Sequence, residues 1–172
     1  ACGINILASH VYTTRRGLAL EIYETPTPRG GESEQAMLWQ EVETQLEAVL
    51  TGTVDVGDLV RRRRRPIGMT RPPSRKAPRV LISNTESEFY TLVDVIADDR
   101  IGLLYDVTRT LGEQGAEIYI SKAATIKDQV TDAFYIKDEE GKKIKDPVRL
   151  QRLREALLEA VIAASPRFSD AR

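Results

Sequence analysis

The stretch of this sequence best suited to chemistry is DDRIGLLYDVTRTL, residues 98–111. It places Asp99, Arg100 and Gly102 at the start of a segment with helical apolar spacing. Because Gly102 carries no Cβ, a ligand can approach the backbone closely there. The exposed N–H groups of a helix start favour a carboxylate. The pattern therefore predicts a site suited to a small molecule such as an amino acid.

The same stretch has a purely structural interpretation. Asp98 or Asp99 is able to cap the helix by accepting a hydrogen bond from a free backbone N–H. The apolar side chains then fall on or beside one face, as in an amphipathic helix packed on a sheet: Leu103, Leu104, Val107 and Leu111. The two interpretations are compatible, because a loop that binds a ligand still has to start a helix.

Cysteine and histidine, which commonly act in catalysis and metal binding, are scarce in this chain. Cys2 and His10 are the only cysteine and the only histidine of the 172 residues. A disulfide framework, a zinc site and a bound cofactor are therefore not expected. No phosphate-binding loop, dinucleotide fingerprint or nucleophile elbow occurs, so we expect this chain to be non-catalytic. His10 is expected to be a surface polar residue rather than a general base.

Five consecutive arginines, Arg61–Arg65, form the strongest charge run. Clustered arginines contact phosphates, so a nucleic-acid-binding module is one hypothesis. However, no aromatic residues interleave with the run, Asp55 and Asp58 lie just upstream, and the net charge is −1. A solvated helix end, or a salt-bridged contact with another part of the parent protein, fits better. Phe134 lacks the glycine-aromatic context of an RNA-binding sheet and is predicted in the core.

The composition is that of an ordinary globular protein, with 41% hydrophobic and 30% charged residues. No apolar run approaches the roughly 20 residues of a membrane span, and no signal peptide is visible at the start. The simplest location is the cytoplasm. The chain begins at ACGIN without Met, which suggests a fragment or a processed product.

The elements that position these residues follow an internal repeat. Residues 3–24 align with residues 115–136 at a constant offset of 112, without gaps. Each copy predicts two strands joined by a polar turn, at residues 15–17 and 127–129. Apolar residues at helical spacing then follow in each copy: Leu38, Val42, Leu46, Val49 and Leu50 in the first, and Leu150, Leu153, Leu157, Val161 and Ile162 in the second. The pair Asp146-Pro147 is a favourable helix start.

The two copies differ in what precedes them. A strand at Tyr90–Ala97 and the helix of the opening stretch come before the second copy, and nothing comes before the first. We therefore expect a β-α-β-β-α unit, a truncated β-β-α unit, and a parent chain that continues upstream. Asp94, in mid-strand, predicts a sheet face outside the core of its own unit. The predicted organisation is a partial unit at 1–53, a linker with a basic run and one strand at 54–84, and a second unit at 85–172.

Within the linker, residues 54–65 predict a short helix and the prolines of residues 66–78 an extended segment. Residues 79–84, RVLISN, predict a strand that suits the sheet of either unit. The tail SPRFSDAR offers no convincing final strand. The pattern leaves open which unit the strand completes.

These residues resemble a known family. DDRIGLLYDVTRTLGEQGAEIYISKAAT followed by DAFYIKDEEGKKI looks like an ACT domain, and the tandem arrangement resembles the C-terminal region of bacterial PII uridylyltransferase/uridylyl-removing enzymes. The family's Asp-Arg-Pro-Gly-Leu-Leu-Tyr-Asp turn matches residues 99–106, its Ala-x-x-x-Thr pattern the stretch around 123–125, and its Phe-Tyr-x-x-Asp pattern residues 134–138. VYTTRRGLALEIYE, RRRRRP and PRVLISN resemble the preceding unit and the linker. One departure is Ile101, which stands where the family has Pro and therefore relaxes the turn.

The resemblance implies an α+β fold, with ferredoxin-like βαββαβ ACT domains in tandem and the first truncated at its N-terminus. It implies that an amino acid, with glutamine expected, acts as effector and controls uridylylation and deuridylylation of the PII nitrogen-signalling protein. The nucleotidyltransferase and hydrolase domains of the parent chain would lie upstream. Carried over position by position, the expected ligand-binding residues are Asp99, Arg100, Ile101, Gly102, Leu103 and Ser121.

ACT domains commonly pair side by side, so the resemblance also implies self-association, for example as a dimer. No catalytic residue, metal or cofactor is implied for this region, and no membrane or nucleic-acid partner. The alternative is an ACT-type dimerisation or interaction domain that binds no ligand.

Overall fold

The computed structural model describes residues 4, 6–13, 18–64, 77–126 and 129–163. Along these ranges the elements are β1 (Ala8–Thr13), β2 (Ala19–Glu24), α1 (Glu32–Leu50), α2 (Val56–Arg63), β3 (Arg79–Ser83), β4 (Thr91–Asp98), α3 (Leu103–Glu113), β5 (Ala116–Ile126), β6 (Gln129–Asp138) and α4 (Pro147–Ala163). The predicted strands and helices are confirmed to within a few residues. Predictions for the turns at 15–17 and 127–128, for residues 65–76 and for the tail lie outside the described residues.

The helix start predicted at Asp146-Pro147 is confirmed. Pro147 is the first residue of α4. The carboxylate of Asp146 accepts a hydrogen bond of 3.0 Å from the Val148 N–H, which satisfies one of the free donors of the first turn.

The described strands form one six-stranded antiparallel sheet in the order β2-β1-β5-β6-β4-β3. The strand left open by the sequence, β3, pairs with β4 and brings Val80 opposite Val95. Arg154 of α4 donates a hydrogen bond of 3.1 Å to the Val80 carbonyl. A segment from the predicted linker therefore forms the outer strand beside the second unit.

The two copies of the repeat meet along β1 and β5, which pair antiparallel. His10 of β1 lies opposite Lys122 of β5, and these are equivalent positions of the repeat. Ser9 lies opposite Ala123, the equivalent of Val11, and Val11 lies opposite Ser121, the equivalent of Ser9. This exchange means that a pseudo-two-fold axis passes through the His10–Lys122 pair. The strand pairing of the two units is therefore side by side.

The core lies between one face of the sheet and the helices α3 and α4. Every second residue of β4 and β6 is buried there, because side chains alternate between the faces of a strand. Phe134 is among these, as predicted. The shared core comprises Val80, Val93, Val95, Ala97, Leu103, Val107, Leu111, Ala116, Val130, Phe134, Ile136, Ile144, Leu153, Leu157 and Val161. Asp94 is only half-buried and lies on the opposite face, as the sequence predicted.

The first unit contributes little to this core. Of the described residues, none in α1 is buried, and β2 is exposed along its whole length. No described helix has both the length and the apolar character needed to cross a bilayer.

Candidate ligand-binding site

The loop between β4 and α3, residues 99–102, is a tight turn that ends in a left-handed residue. Gly102 is the N-cap of α3 with φ 79° and ψ 13°, a conformation that glycine adopts at no steric cost. The Leu103 N–H donates to the Arg100 carbonyl at 3.1 Å, and the Asp106 N–H to the Gly102 carbonyl at 3.0 Å. Helix formation therefore begins directly after Gly102.

The prediction that Asp98 or Asp99 caps the helix is wrong. Asp98 is still part of β4, and the left-handed turn makes Gly102 the capping residue. Gly102 has no side chain with which to cap the first turn of α3. A helix start of this kind retains donors and a partial positive charge that suit a carboxylate.

Arg100 turns back into the protein. Its Nη1 atom pairs with Asp106 Oδ2 at 2.7 Å, and its Nη2 atom donates to the Ala160 carbonyl of α4 at 3.2 Å. Both side chains of the ion pair are largely buried, at 15% and 16% exposure. Arg100 therefore ties α3 to α4. Of the other predicted loop residues, Ile101 is exposed and Leu103 lies in the core.

The short helix α2 docks on this loop through Arg64, which directly follows its last residue. The Arg64 guanidinium donates to the Ile101 carbonyl at 3.2 Å and to the Gly102 carbonyl at 2.8 Å. It also pairs with Asp106 Oδ2 at 2.6 Å. A Cβ on Gly102 would lie 2.5 Å from Val60 Cγ1. The missing side chain of Gly102 therefore makes room for α2.

This docking accounts for part of the arginine run. Arg64 makes the predicted salt-bridged contact, with Asp106 of the same chain. Arg61 pairs with Asp58, and both side chains are more than half exposed, as at a solvated helix end. Gly57 permits the close approach of α2 from the other side, since a Cβ there would lie 2.6 Å from the Tyr105 hydroxyl.

Ser121, the remaining predicted ligand residue, is buried on β5. It lies between Val11 of β1 and Phe134 of β6. Directly opposed residues of antiparallel strands share a face, and Phe134 faces α3 and α4. Ser121 is therefore on the helix face of the sheet, at the junction of the two repeat units.

The neighbouring row of the sheet carries a residue that the sequence reasoning missed. It runs from Ser9 of β1 through position 123 of β5 to Asp132 of β6. Asp132 is 2% exposed and Ser9 is 1% exposed. Among the described residues, neither Asp132 Oδ1 nor Ser9 Oγ has a hydrogen-bond partner. Burial, and to a smaller extent the negative charge of Asp99, raise the pKa of Asp132 to about 7.

A signal for Asp132 was present in the sequence. Val130, Asp132, Phe134 and Ile136 are successive alternate positions of one predicted strand. Since Phe134 was predicted in the core, the period of two places the Asp132 carboxyl on the same inward face. Among the described residues, no group of three His, Cys, Asp or Glu side chains is arranged to hold a metal ion.

The comparisons with known proteins agree with this architecture. The family model described as ACR9-like, ACT-like domain matches residues 79–165, a range that begins with β3. Among similar curated proteins, an Azospirillum brasilense protein is 33% identical over 94% of this chain and 17% of its own length. A Rhodospirillum rubrum protein is 32% identical over 96% of this chain and 18% of its own length.

Both relatives are named bifunctional uridylyltransferase/uridylyl-removing enzymes. A relative from Gluconobacter oxydans with the same name is 32% identical over 94% of this chain and 17% of its own length. The chain thus spans less than a fifth of the length of these relatives. No solved structure matches it.

Proposed function

Because this chain belongs to the ACT-like domain family, we propose that it is a regulatory module that senses a free amino acid, with glutamine as the effector. The observation that carries the proposal is the start of α3, where the N-cap is Gly102, which has no side chain to cap the first turn. An α-carboxylate fits such a helix start. Ser121 supplies a hydroxyl on the helix face of β5, a strand that α3 contacts.

The effect would be exerted on a larger enzyme. The relatives are named for uridylyl transfer and uridylyl removal, and the chain spans less than a fifth of their length. We propose that the module controls uridylylation and deuridylylation of the PII protein by catalytic domains elsewhere in the parent chain, in the cytoplasm. The described part of the chain supplies the effector site.

The physical mechanism is a population shift. A ligand favours one arrangement of two packed units only by its differential affinity for that arrangement. A coupling free energy of about 1–3 kcal/mol changes the balance between two activities by roughly 5- to 150-fold. The loop is suited to this coupling, because α2 contacts it on one side and α4 is tied to it through Arg100.

A pure dimerisation or interaction domain is the second candidate. Ile101 takes the place of the family's Pro and is 59% exposed, and β2 is an exposed outer strand. Under this hypothesis the chain self-associates in a concentration-dependent way, without any response to amino acids.

Calorimetric titration of the chain with glutamine, with glutamate and other amino acids for comparison, tests the proposal. We expect saturable binding of glutamine that is weakened by Ser121→Ala and by Gly102→Ala. The matched control is Gly112→Ala, since a Cβ at Gly112 of α3 meets open space. Absence of heat at millimolar concentrations of every amino acid would favour the interaction domain instead.

A further inference from the structure

The sheet face opposite α3 and α4, called the outer face below, carries two rows of side chains that cross the five strands from β1 to β3. Directly opposed residues of antiparallel strands share a face. The apolar row comprises Tyr12, Ile120, Tyr135, Leu92 and Ser83, and the charged row comprises His10, Lys122, Ala133, Asp94 and Leu81. All of these residues except Leu92 are half-buried or exposed. The outer face is therefore a broad, largely apolar surface.

The charged row is balanced about Ala133 of β6. Asp94 lies one strand to one side of Ala133, and Lys122 lies one strand to the other side. None of the ion pairs among the described residues involves Asp94 or Lys122. The Lys122 ammonium lies instead over the ring of Tyr135, 5.7 Å from its centroid. Each charge therefore lacks an ionic partner within the described chain.

A second copy of the chain supplies both partners. When two outer faces meet about a two-fold axis that lies over Ala133 and runs parallel to β6, each strand on one side of β6 faces the strand at the same distance on the other side. Asp94 of each copy then faces Lys122 of the other copy, which gives two ion pairs. In the apolar row, Tyr135 meets its own counterpart and Leu92 meets Ile120. Both rows are therefore self-complementary.

We propose that the outer face is an interface between two copies of this chain, packed sheet against sheet with β6 at its centre. Stacked sheets of this kind lie about 10 Å apart, with their strands aligned to within about 30°. The contact differs from side-by-side pairing of units, which β1 and β5 already make within one chain. It involves no ligand and goes beyond the proposed function.

The size of the outer face suits a stable dimer. Five strands about 4.8 Å apart and about eight residues long cover about 650 Å² per copy. Two copies together bury about 1,300 Å², within the range of about 1,200–2,000 Å² for specific interfaces. The strand β2 lies outside this overlap, because only β4 and β3 follow β6 on the other side. Pairing through the outer edge of β2 would therefore join one dimer to another.

The distribution of side chains is that of an interface. Tyr135, an aromatic residue of the type that often dominates binding energy, lies next to the centre. The row beyond it is polar: Lys137 Nζ lies 5.0 Å from the ring centroids of both Tyr90 and Tyr119. An apolar centre with a polar rim is typical of protein interfaces.

Analytical ultracentrifugation of charge-reversal variants tests the proposal. In the dimer, Asp94→Lys sets two cations against each other and Lys122→Asp sets two carboxylates against each other. We expect each variant alone to have a dimer Kd at least about 100-fold higher than the unaltered chain. An equimolar mixture of the two variants should form dimers again, because both ion pairs return with reversed polarity. Mixing would not cure a folding defect, so recovery requires that the two residues meet between chains.

The matched control is Glu24→Lys. Glu24 is an exposed carboxylate on the same face, opposite Ala8, but it belongs to β2 outside the overlap. This variant should keep the dimer Kd of the unaltered chain. Lys122→Gln, at an exposed position, supplies a further variant should Asp94→Lys fail to fold. We expect it to raise the dimer Kd about tenfold or more, and an unchanged Kd would contradict the interface.

Three results would overturn the proposal. One is an unaltered chain that stays monomeric up to about 1 mM. The second is a mixture of folded Asp94→Lys and Lys122→Asp that does not dimerise. The third is an equal loss of dimers in Glu24→Lys, which would indicate a general effect of charge. Each would leave the proposed binding of an amino acid at the start of α3 intact, because that site lies at the other face of the sheet.

Discussion

At the scale of single residues, the buried carboxyl group of Asp132, whose Oδ1 atom has no partner among the described residues, works against the stability of the fold. A carboxyl group on the core face would be replaced by an apolar residue if packing alone mattered. Arg100 and Asp106 show the opposite case, because their charges are paired inside the protein and serve the packing of α3 on α4.

The first prediction concerns stability and pH. The raised pKa of Asp132 means that the folded chain keeps a proton that the unfolded chain releases between about pH 4 and pH 7. The free energy of unfolding of the unliganded chain should therefore fall as pH rises through this window, by up to about 1.4 kcal/mol per pH unit, and level off above it. In Asp132→Asn this contribution is absent, and the variant should be more stable than the unaltered chain at pH 8.

Urea denaturation at pH 5 and pH 8 checks this prediction. Asp94→Asn is the comparison variant, and because Asp94 is only half-buried its effect should be smaller. If the free energy of unfolding had the same pH dependence in the unaltered chain and in Asp132→Asn, the raised pKa of Asp132 would be contradicted.

The second prediction compares two glycines of the same region. Gly102→Ala should destabilise the chain by about 1–2 kcal/mol, because a Cβ is disfavoured in the left-handed conformation and would meet Val60. Gly112→Ala should stabilise it by about 0.5–1 kcal/mol, because Gly112 is inside α3 with open space around it. Thermal unfolding of the two variants measures both effects. Equal shifts would mean that Gly102 has no special conformational role.

At the scale of elements, the loop before α3 is in contact with both α2 and α4. The helix α2 contacts it through Arg64, and the loop residue Arg100 contacts α4 at the Ala160 carbonyl. Both arginines also pair with Asp106 of α3. A ligand at the start of α3 therefore acts on a network that joins three helices. Such a network is one physical route by which binding changes the position of a neighbouring element.

The third prediction tests the docking of α2. Arg64→Ala removes hydrogen bonds to two loop carbonyls and an ion pair with Asp106, so the amides of α2 should exchange hydrogen markedly faster than in the unaltered chain. Arg61→Ala is the control from the same run, because its exposed pair with Asp58 should contribute nothing measurable. Hydrogen exchange followed by mass spectrometry reports on both. Unchanged protection of α2 in Arg64→Ala would show that Arg64 is not what holds α2 to the loop.

At the scale of the whole molecule, one sheet joins a unit with a buried core to a unit with few buried residues. The second unit has α3 and α4 over its strands, while β2 is exposed throughout and α1 has no buried residue among those described. The pseudo-two-fold pairing at His10 and Lys122 places the two units side by side through backbone hydrogen bonds. The buried core among the described residues therefore lies almost entirely in the second unit.

The fourth prediction follows from the exposed outer strand. The outer edge of β2 is unpaired among the described strands, and unprotected edges promote pairing with further strands. We expect Ile22→Lys to reduce self-association in sedimentation velocity experiments at high protein concentration. Its free energy of unfolding should change little, because Ile22 is 49% exposed. Val93→Lys, a core substitution on β4, should instead unfold the chain. If Ile22→Lys left self-association unchanged, the β2 edge would not be the contact.

The sequence by itself determined the local elements and the repeat. Apolar periodicity, the Asp146-Pro147 start and the matched hairpins are encoded within short stretches, so the helices, the strands and the burial of Phe134 were predictable. The row that contains Asp132 was only implicit in the alternation along β6, and the ligand residues taken from the family resemblance stay predictions.

Only the tertiary structure decided how distant stretches meet. It placed β3 beside β4, made Gly102 the cap of α3, brought Arg64 to the loop and set Ser9 in the same row as Asp132. Each of these contacts depends on strand order, register or a single backbone dihedral angle. Such features are fixed by the packing of the whole chain and leave no periodic signal in any short segment.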